Sequence, residues 1–528
     1  MSSWFRSRIR GTEAKSSLRA RKSCYFEDRA LNWVLMTTKD RVPPALLTDL
    51  YELTMAYGYW KNQMLDHEAV FHLSFRQQPF EGGYAIACGL SDAIDYLENF
   101  AFRSDDLAYL EDLRGNDGKT IFERKFLDYL ETLQFACDVD AIPEGNVVFP
   151  HEPLLRVTGS LLQGQLFETA LLNIINFQTL IATKSARVCL AAKGNPVMEF
   201  GLRRAHGADG ALAASRAAYI GGCVSTSNVL AGKVFGIPVS GTHAHSWVMS
   251  FQTEHEAFEA YADAIPGNCV FLVDTYDSIE GIHRAVEVGH RLRSIGKDLA
   301  GIRLDSGDLN YLSITARAIL DEAGFQTTKI IASNDLDEHV IASLKEQGAL
   351  IDLWGVGTKL VTAFDQPALG GVYKLGAIRV REGPWLKKVK LSEQTAKVSN
   401  PGSLQVRRFE DRNEYLADMI YDELAGEPTE RVIVDIADVT IQRRIPTSAR
   451  HHDLLVPIFR HGERVYDRPP IAQTRTFAQN ELGRFYAGVK RLLNAHIYPV
   501  GLEIGLHTVK SRLIQEVRKG HSKTDLPD

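Results

Sequence analysis

Two histidines stand two residues apart in GTHAHSW, with Thr242 before them and Ser246 after, at what reads as the end of a β-strand. On extended backbone His243 and His245 share one face. Imidazoles so placed can hold a metal, move a proton or accept a phosphoryl group. No third His, Cys or Glu stands close by to complete a zinc set, which argues against a metal. Between proton carrier and phosphoryl acceptor the local residues do not choose. The other reactive side chains are distant in sequence but share one habit, since each follows a short apolar run. VMEFGLRR ends in Arg203 and Arg204, GIPVSGT leads to Thr242 and His245, and CVFLVDT ends in Asp274 and Thr275. AGIRLDS ends in Arg303 and Asp305, KIIASND in Asn334, and LWGVGT in Gly355, Gly357 and Thr358. Arginine's planar fork matches phosphate or carboxylate. The amides of GVGTKLVT, ahead of a helix, suit a phosphate. Asp305 and Asp308 in RLDSGDL offer hard oxygens to Mg²⁺ or to ribose hydroxyls. The plainer alternatives are a helix N-cap at Asp305 or Ser306 and compensation of a helix dipole by Asp308.

These residues meet only if the fold brings six run ends to one edge. Between residues 195 and 360 each apolar run is followed by an amphipathic segment, and the runs are too apolar to alternate. That is what a parallel sheet covered by helices requires. The predicted class is therefore α/β, with a (β/α) barrel as the economical closure and an open doubly wound sheet as the alternative. In either, the ligand site lies at the carboxyl ends of the strands. Upstream, LLTDLYELTMAYGYW places Leu46, Leu50, Leu53 and Tyr57 at helical steps. AVFHLSFRQQPFEGGYAIACGL reads as strand, turn at Pro79 and Gly82-Gly83, and second strand. The apolar segment from Leu166 to Thr183 carries Glu168, Asn173, Asn176 and Gln178, so it is a buried helix rather than a span of about 20 uninterrupted apolar residues. After about residue 375 the rhythm gives way to short strands (KKVKLS, SLQVRRFE, ERVIVDIADV) and a helical stretch from Thr476 to Ala495.

The organisation expected is an extension or mis-called start over residues 1–35, with Met36 as the working start, and an N-terminal α+β domain over 36–165. The α/β barrel with the active site follows over 166–375, and a C-terminal α+β segment, 376–528, packs on the N-terminal domain. The first 35 residues carry eight basic and three acidic side chains and no apolar signal core. A formal charge of −6 and a pI near 6.3 leave no global basic field for nucleic acid or an anionic membrane. The six cysteines form no CxxC pair and no regular spacing, which points away from a disulfide scaffold and toward a reducing cytoplasm.

As an ordered set, LLTDLYELTMAYGYW, FRQQPFEGGYAIACGL, EFGLRRAHGADG, TSNVLAGKVFGIPVSGTHAHSW, LVDTY, GIRLDSGDL, ASNDLDE, GVGTKLVTAFDQPALGGVYKL and HIYPVGL resemble the nicotinate phosphoribosyltransferases. They run from about residue 46 to 505. The resemblance implies a type II phosphoribosyltransferase: a barrel flanked by a domain built from N- and C-terminal segments. It implies the joining of nicotinate to 5-phosphoribosyl 1-diphosphate, coupled to ATP hydrolysis, in NAD biosynthesis, by a cytoplasmic homodimer whose ligands are small molecules. By motif, His245 would be the transiently phosphorylated residue and His243 a bystander, with Arg203 and Asp305 in the catalytic group. Tyr51 would stack on the pyridine ring from the partner subunit. Thr242 and Arg303 would contact nicotinate, and Thr358, with Gly355, Gly357 and Asn334, the phosphoribosyl phosphate. Expelling diphosphate from C1 of the ribose builds charge on both fragments, which calls for Mg²⁺ and arginines but no strong base. No residue is singled out as the metal ligand. The rivals are a nicotinamide- or quinolinate-using phosphoribosyltransferase, kept open by Asp274, and a non-catalytic phosphosugar-binding relative.

Overall fold

The chain is described by a computed structural model over residues 44–392 and 398–521. The extension expected over 1–35 and the working start at Met36 lie outside the described residues. At the centre six strands form one parallel sheet in the order Ser225–Thr226, Val197–Glu199, Leu353–Val356, Lys329–Ala332, Gly301–Leu304 and Val270–Leu272. Helices Gly207–Ile220, Glu254–Ala264, Ser278–Ser294, Leu309–Glu322 and Glu338–Glu346 return the chain between strands. Mixed α/β architecture with a barrel-like parallel sheet is therefore the fold. Five of the six predicted runs are strands of this sheet. The sixth, GIPVSGT, makes only a single bridge from Val239 to Thr226, because Pro238 has no N–H with which to continue a ladder. Its place is taken by Ser225–Thr226, two residues too few to show a period.

The long helix Glu168–Ala191 is buried along most of its length, as its composition predicts. Lys184 and Arg187 on it are tied to the equally buried Glu338, at 2.7 and 2.8 Å. Removing one partner of such a network would strand a charge in the core. The helix is thereby fixed against Glu338–Glu346, the helix that follows the Lys329–Ala332 strand.

A seven-stranded antiparallel sheet flanks the barrel and is woven from both ends of the chain. His67–Ser74 pairs with Leu155–Ser160 on one side and with Val372–Val380, from beyond the barrel, on the other. Asp138–Ala141 pairs with Val456–Arg460. A second sheet, from Gln442–Arg444 to Arg450–Asp453, belongs to the C-terminal part. Two of three local expectations need correction. The first helix is Leu50–Lys61, and its buried face is Glu52, Leu53 and Ala56 while Leu50 is half exposed. Glu52 can be buried because Thr48 and Thr169 donate hydroxyls to it and Thr169 also donates its N–H. The expected second strand after Gly82-Gly83 is Ala85–Ile86, and it pairs with Val147–Val148. Phe80, at φ 59°, turns the chain away between the two. Late in the chain the helix is Ile471–Gly483, not Thr476 to Ala495.

Candidate active site

Strand ends at the carboxyl edge of the parallel sheet bring one connected group together. Arg303 is its centre. Its Nε donates to Ser333 Oγ at 2.8 Å, Nη1 to Thr242 Oγ1 at 3.2 Å, and Nη2 to Asp305 Oδ1 at 2.8 Å. The guanidinium lies 5.8 Å from the Phe200 ring. A Cβ on Gly355 would stand 2.7 Å from that ring, so this glycine makes room for Phe200. Asp305 is also bound by the Ser333 hydroxyl, and its Oδ2 faces His245 Nε2 at 3.8 Å. Burial alone would raise the Asp305 pKa, but Ser333 and Arg303 outweigh it and hold the carboxyl below its ordinary range.

His245 does not end a strand. It opens the short helix His245–Met249, reached through an extended loop from Thr242. Its Nδ1 is 3.1 Å from Thr275 Oγ1, while Nε2 faces the Asp305 side, with the side chain 40% exposed. Asp274 Oδ2 accepts the Asp305 N–H at 2.8 Å and the Ser306 hydroxyl at 2.6 Å, and its Oδ1 is buried without a partner among the described residues. Asp308 is the N-cap of Leu309–Glu322, accepting from the N–H groups of Asn310 and Tyr311. The cap thus falls to Asp308 rather than to Asp305 or Ser306, which frees Asp305 for the site.

Arg203 is exposed on the turn Leu202–Arg204 that follows Val197–Glu199. Gly357 and Thr358 lie next to that turn, since a Cβ on Gly201 would meet Val361 at 2.4 Å and the Gly357 carbonyl at 2.9 Å. Thr358 begins the four-residue helix Thr358–Val361. Asn334 is exposed at φ 89° in the loop after Lys329–Ala332. Tyr51 is not joined to this group. It is 45% exposed on the first helix, and burial followed by the charges of Glu168 and Glu52 pushes its pKa up to about 12.

His243 is no bystander in the fold. It is 8% exposed, packs edge-on against Tyr261 at 4.9 Å, and its Nε2 accepts the Leu272 N–H at 3.2 Å. Val270–Leu272 is an edge strand of the parallel sheet, so this side chain takes up an edge donor. Burial drives its pKa down to about 4, which keeps the acceptor lone pair available. Ser333, Phe200 and Glu254 were not singled out from the sequence. Ser333 lies within the quoted run KIIASND, where its small side chain gave no sign of bridging Arg303 and Asp305. Glu254, raised to about 7 by burial near Asp274 and Asp277, has a buried Oε1 without a partner among the described residues.

This geometry, with a forked cation beside an exposed imidazole and an unpartnered carboxylate oxygen, can be compared with known proteins. Three family models match in order: the nicotinate phosphoribosyltransferase N-terminal domain over residues 46–176, the family itself over 196–394, and the C-terminal domain over 404–510. A nicotinate phosphoribosyltransferase of Bacillus subtilis is 44% identical over 494 residues, covering 90% of this chain and 98% of that one. The chain belongs to the nicotinate phosphoribosyltransferase family. The crystal structure of human nicotinic acid phosphoribosyltransferase superposes with a TM-score of 0.77 at 32% identity, covering 88% of this chain and 99% of that one. A nicotinate-nucleotide pyrophosphorylase from Pyrococcus furiosus, at 23% identity and a TM-score of 0.64, shares the fold. Among the described residues no helix of this family member is long and apolar enough to cross a membrane.

Proposed function

We propose that this chain is a nicotinate phosphoribosyltransferase that joins nicotinate to 5-phosphoribosyl 1-diphosphate and couples the reaction to ATP hydrolysis, in NAD biosynthesis. The observation that carries the reading is the state of Arg303. Three of its five N–H groups are bound by Ser333, Thr242 and Asp305, leaving one on each terminal nitrogen. That remaining fork accepts a carboxylate, which nicotinate has and nicotinamide lacks. Of the two acids beside the fork, Asp305 Oδ1 is bound by Arg303 and Ser333 and Asp274 Oδ2 by the Asp305 N–H and the Ser306 hydroxyl, while Asp274 Oδ1 has no partner among the described residues.

His245 acts toward ATP as nucleophile. With Nδ1–H donating to Thr275 Oγ1, Nε2 keeps the lone pair that attacks the γ-phosphorus, and the bond to the ADP oxygen breaks as the N–P bond forms. Water later cleaves the N–P bond and releases phosphate. Arg203 and the amides around Gly357 and Thr358, with Asn334 beside them, hold phosphate and diphosphate groups at the rim. The orphaned Asp274 Oδ1 suits a hard cation, and Asp274 and Asp305 would hold Mg²⁺ together with substrate oxygens. The chemistry such an ion would supply there is neutralisation of charge developing on the leaving diphosphate. The barrel with the site spans 166–375, between an N-terminal domain at 36–165 and the C-terminal segment.

A homodimer completes this account. Leu50, Tyr51 and Met55 are 51, 45 and 37% exposed on one helix, an apolar strip with Tyr51 in it, fit to reach a neighbouring subunit's pyridine. The working compartment is the cytoplasm. The deciding experiment measures label from γ-labelled ATP on the parent and on His245→Ala. Acid-labile label on the parent alone is expected, and equal labelling of both proteins refutes the assignment.

A further inference from the structure

A cleft of about 580 Å³ lies between the loop that leaves His67–Ser74 and the C-terminal sheet. None of its lining residues belongs to the Arg303 cluster. One wall is apolar, formed by Ile433 and by Phe149 and Tyr498, whose rings stack at 4.3 Å. Arg443 is paired with Ile433 in the antiparallel ladder, so the two side chains stand on the same face of that sheet, with Arg443 toward solvent. Asp435, at the end of the Ile433 strand, spends Oδ1 on the N–H groups of Ala437 and Asp438, both at 2.8 Å. Its other oxygen remains for an occupant. Arg76 and His151 also line the cleft, and the His151 pKa is pushed down to about 4 by burial and then by Lys510 and Arg76.

The residue that specifies the occupant is Gln78. Its Nε2 and Oε1 are both buried, and neither has a hydrogen-bond partner among the described residues. An unmade buried donor or acceptor costs about 1–3 kcal/mol, so this side chain asks for a ligand that presents one acceptor and one donor side by side. Adenine does so with N7 and N6. Guanine offers two acceptors on the corresponding edge, and a pyridine carboxylate offers acceptors alone, so both would leave the Gln78 oxygen unpaired. The volume falls within the range of roughly 300–1,000 Å³ usual for small-ligand sites. An arginine free of any ion pair with a described carboxylate stands at the mouth, where a phosphate would reach it.

We propose that this cleft is a second ligand site, for an adenine nucleotide, with Gln78 reading the base edge, Asp435 a ribose hydroxyl and Arg443 the phosphate. The assignment is separate from the phosphoryl donor site at His245, because AMP, which has no γ-phosphate to give, already carries every group named. The test is calorimetric titration of the full chain with AMP. AMP is expected to bind the parent and His245→Ala with equal affinity, while Gln78→Leu and Arg443→Ala each weaken this binding about tenfold or more. GMP and nicotinate mononucleotide are expected to bind the cleft at least about tenfold more weakly than AMP, the difference of one buried hydrogen bond. Arg443 is exposed, so its variant decides the matter should Gln78→Leu fold poorly. AMP affinity that is unchanged by Arg443→Ala, or lost in Arg303→Ala while Arg443→Ala keeps it, would overturn the proposal. Failure of AMP to bind at millimolar concentration would overturn it as well. None of these results depends on whether His245 becomes phosphorylated.

Discussion

Arg303→Lys tests the reasoning about substrate choice most sharply, because it keeps the charge and changes only how it is presented. In the parent, three N–H groups of Arg303 are consumed by Ser333, Thr242 and Asp305, and two remain on the terminal nitrogens. A lysine ammonium has three donors on one atom. If it holds the same three neighbours it has nothing left for the substrate, and if it turns to the substrate it abandons Asp305, whose carboxyl then loses part of what keeps it ionised. One charge-assisted hydrogen bond is worth about 1.5–3 kcal/mol, so nicotinate binding should weaken roughly ten- to a hundredfold. Nicotinamide has no carboxylate to lose, and its binding should change by less than about threefold. Equilibrium binding of both pyridines separates this from effects on turnover, since KM equals a dissociation constant only when chemistry is slow. A melting curve shows whether the fold survives. Nicotinate affinity within twofold of the parent, in a variant that melts with it, would mean that the fork does not hold the carboxylate.

His243→Leu leaves the buried Leu272 N–H without an acceptor, which should cost about 1–3 kcal/mol and weaken nicotinate binding through displacement of Thr242, whereas His243→Gln, able to accept with Oε1, should keep both. A Leu variant as stable and as tight-binding as the parent would show that the edge strand Val270–Leu272 does not need the acceptor. The same histidine makes folding sensitive to acid: with its folded pKa near 4, below the ordinary value of about 6.5, its share of stability is complete above pH 6.5 and declines as pH falls toward 4. That share is roughly 3 kcal/mol, so the melting temperature of His243→Gln should fall less than the parent's across this window, and parallel curves would contradict it. Thr275→Val removes the partner that fixes the His245 tautomer, and the initial rate of label transfer from ATP should fall roughly three- to tenfold, the worth of one neutral hydrogen bond. An unchanged rate would place the choice of nitrogen elsewhere. Leu50→Glu, on the exposed strip of the first helix, should shift sedimentation toward the monomer and depress turnover together, and an unaltered sedimentation profile would put the subunit contact on another face.

What the sequence disclosed and what it hid follow from the range of the forces involved. Apolar runs that end in Arg303, Asp305, Asp274 or Thr358 announce themselves because burial on both faces of a parallel sheet demands continuous hydrophobicity, and the carboxyl-edge rule then places their polar ends together. The Ser225–Thr226 strand was invisible for the opposite reason, since two residues held by a neighbouring bridge need no pattern of their own. Helix phase failed at Leu50–Lys61 because a buried Glu52 violates the apolar stripe, and that burial is made tolerable by Thr48 nearby together with Thr169, more than a hundred residues away. The reading of His243 shows the deepest limit. The role proposed for its neighbour two positions on comes from a family motif, but its own role is to accept one N–H from an edge strand, a task that many side chains can perform and that leaves no signature in residue type. Positions of that kind are legible only once the sheet edge they serve is in place, and for the same reason they accept substitution by any residue of similar size with an acceptor at its tip.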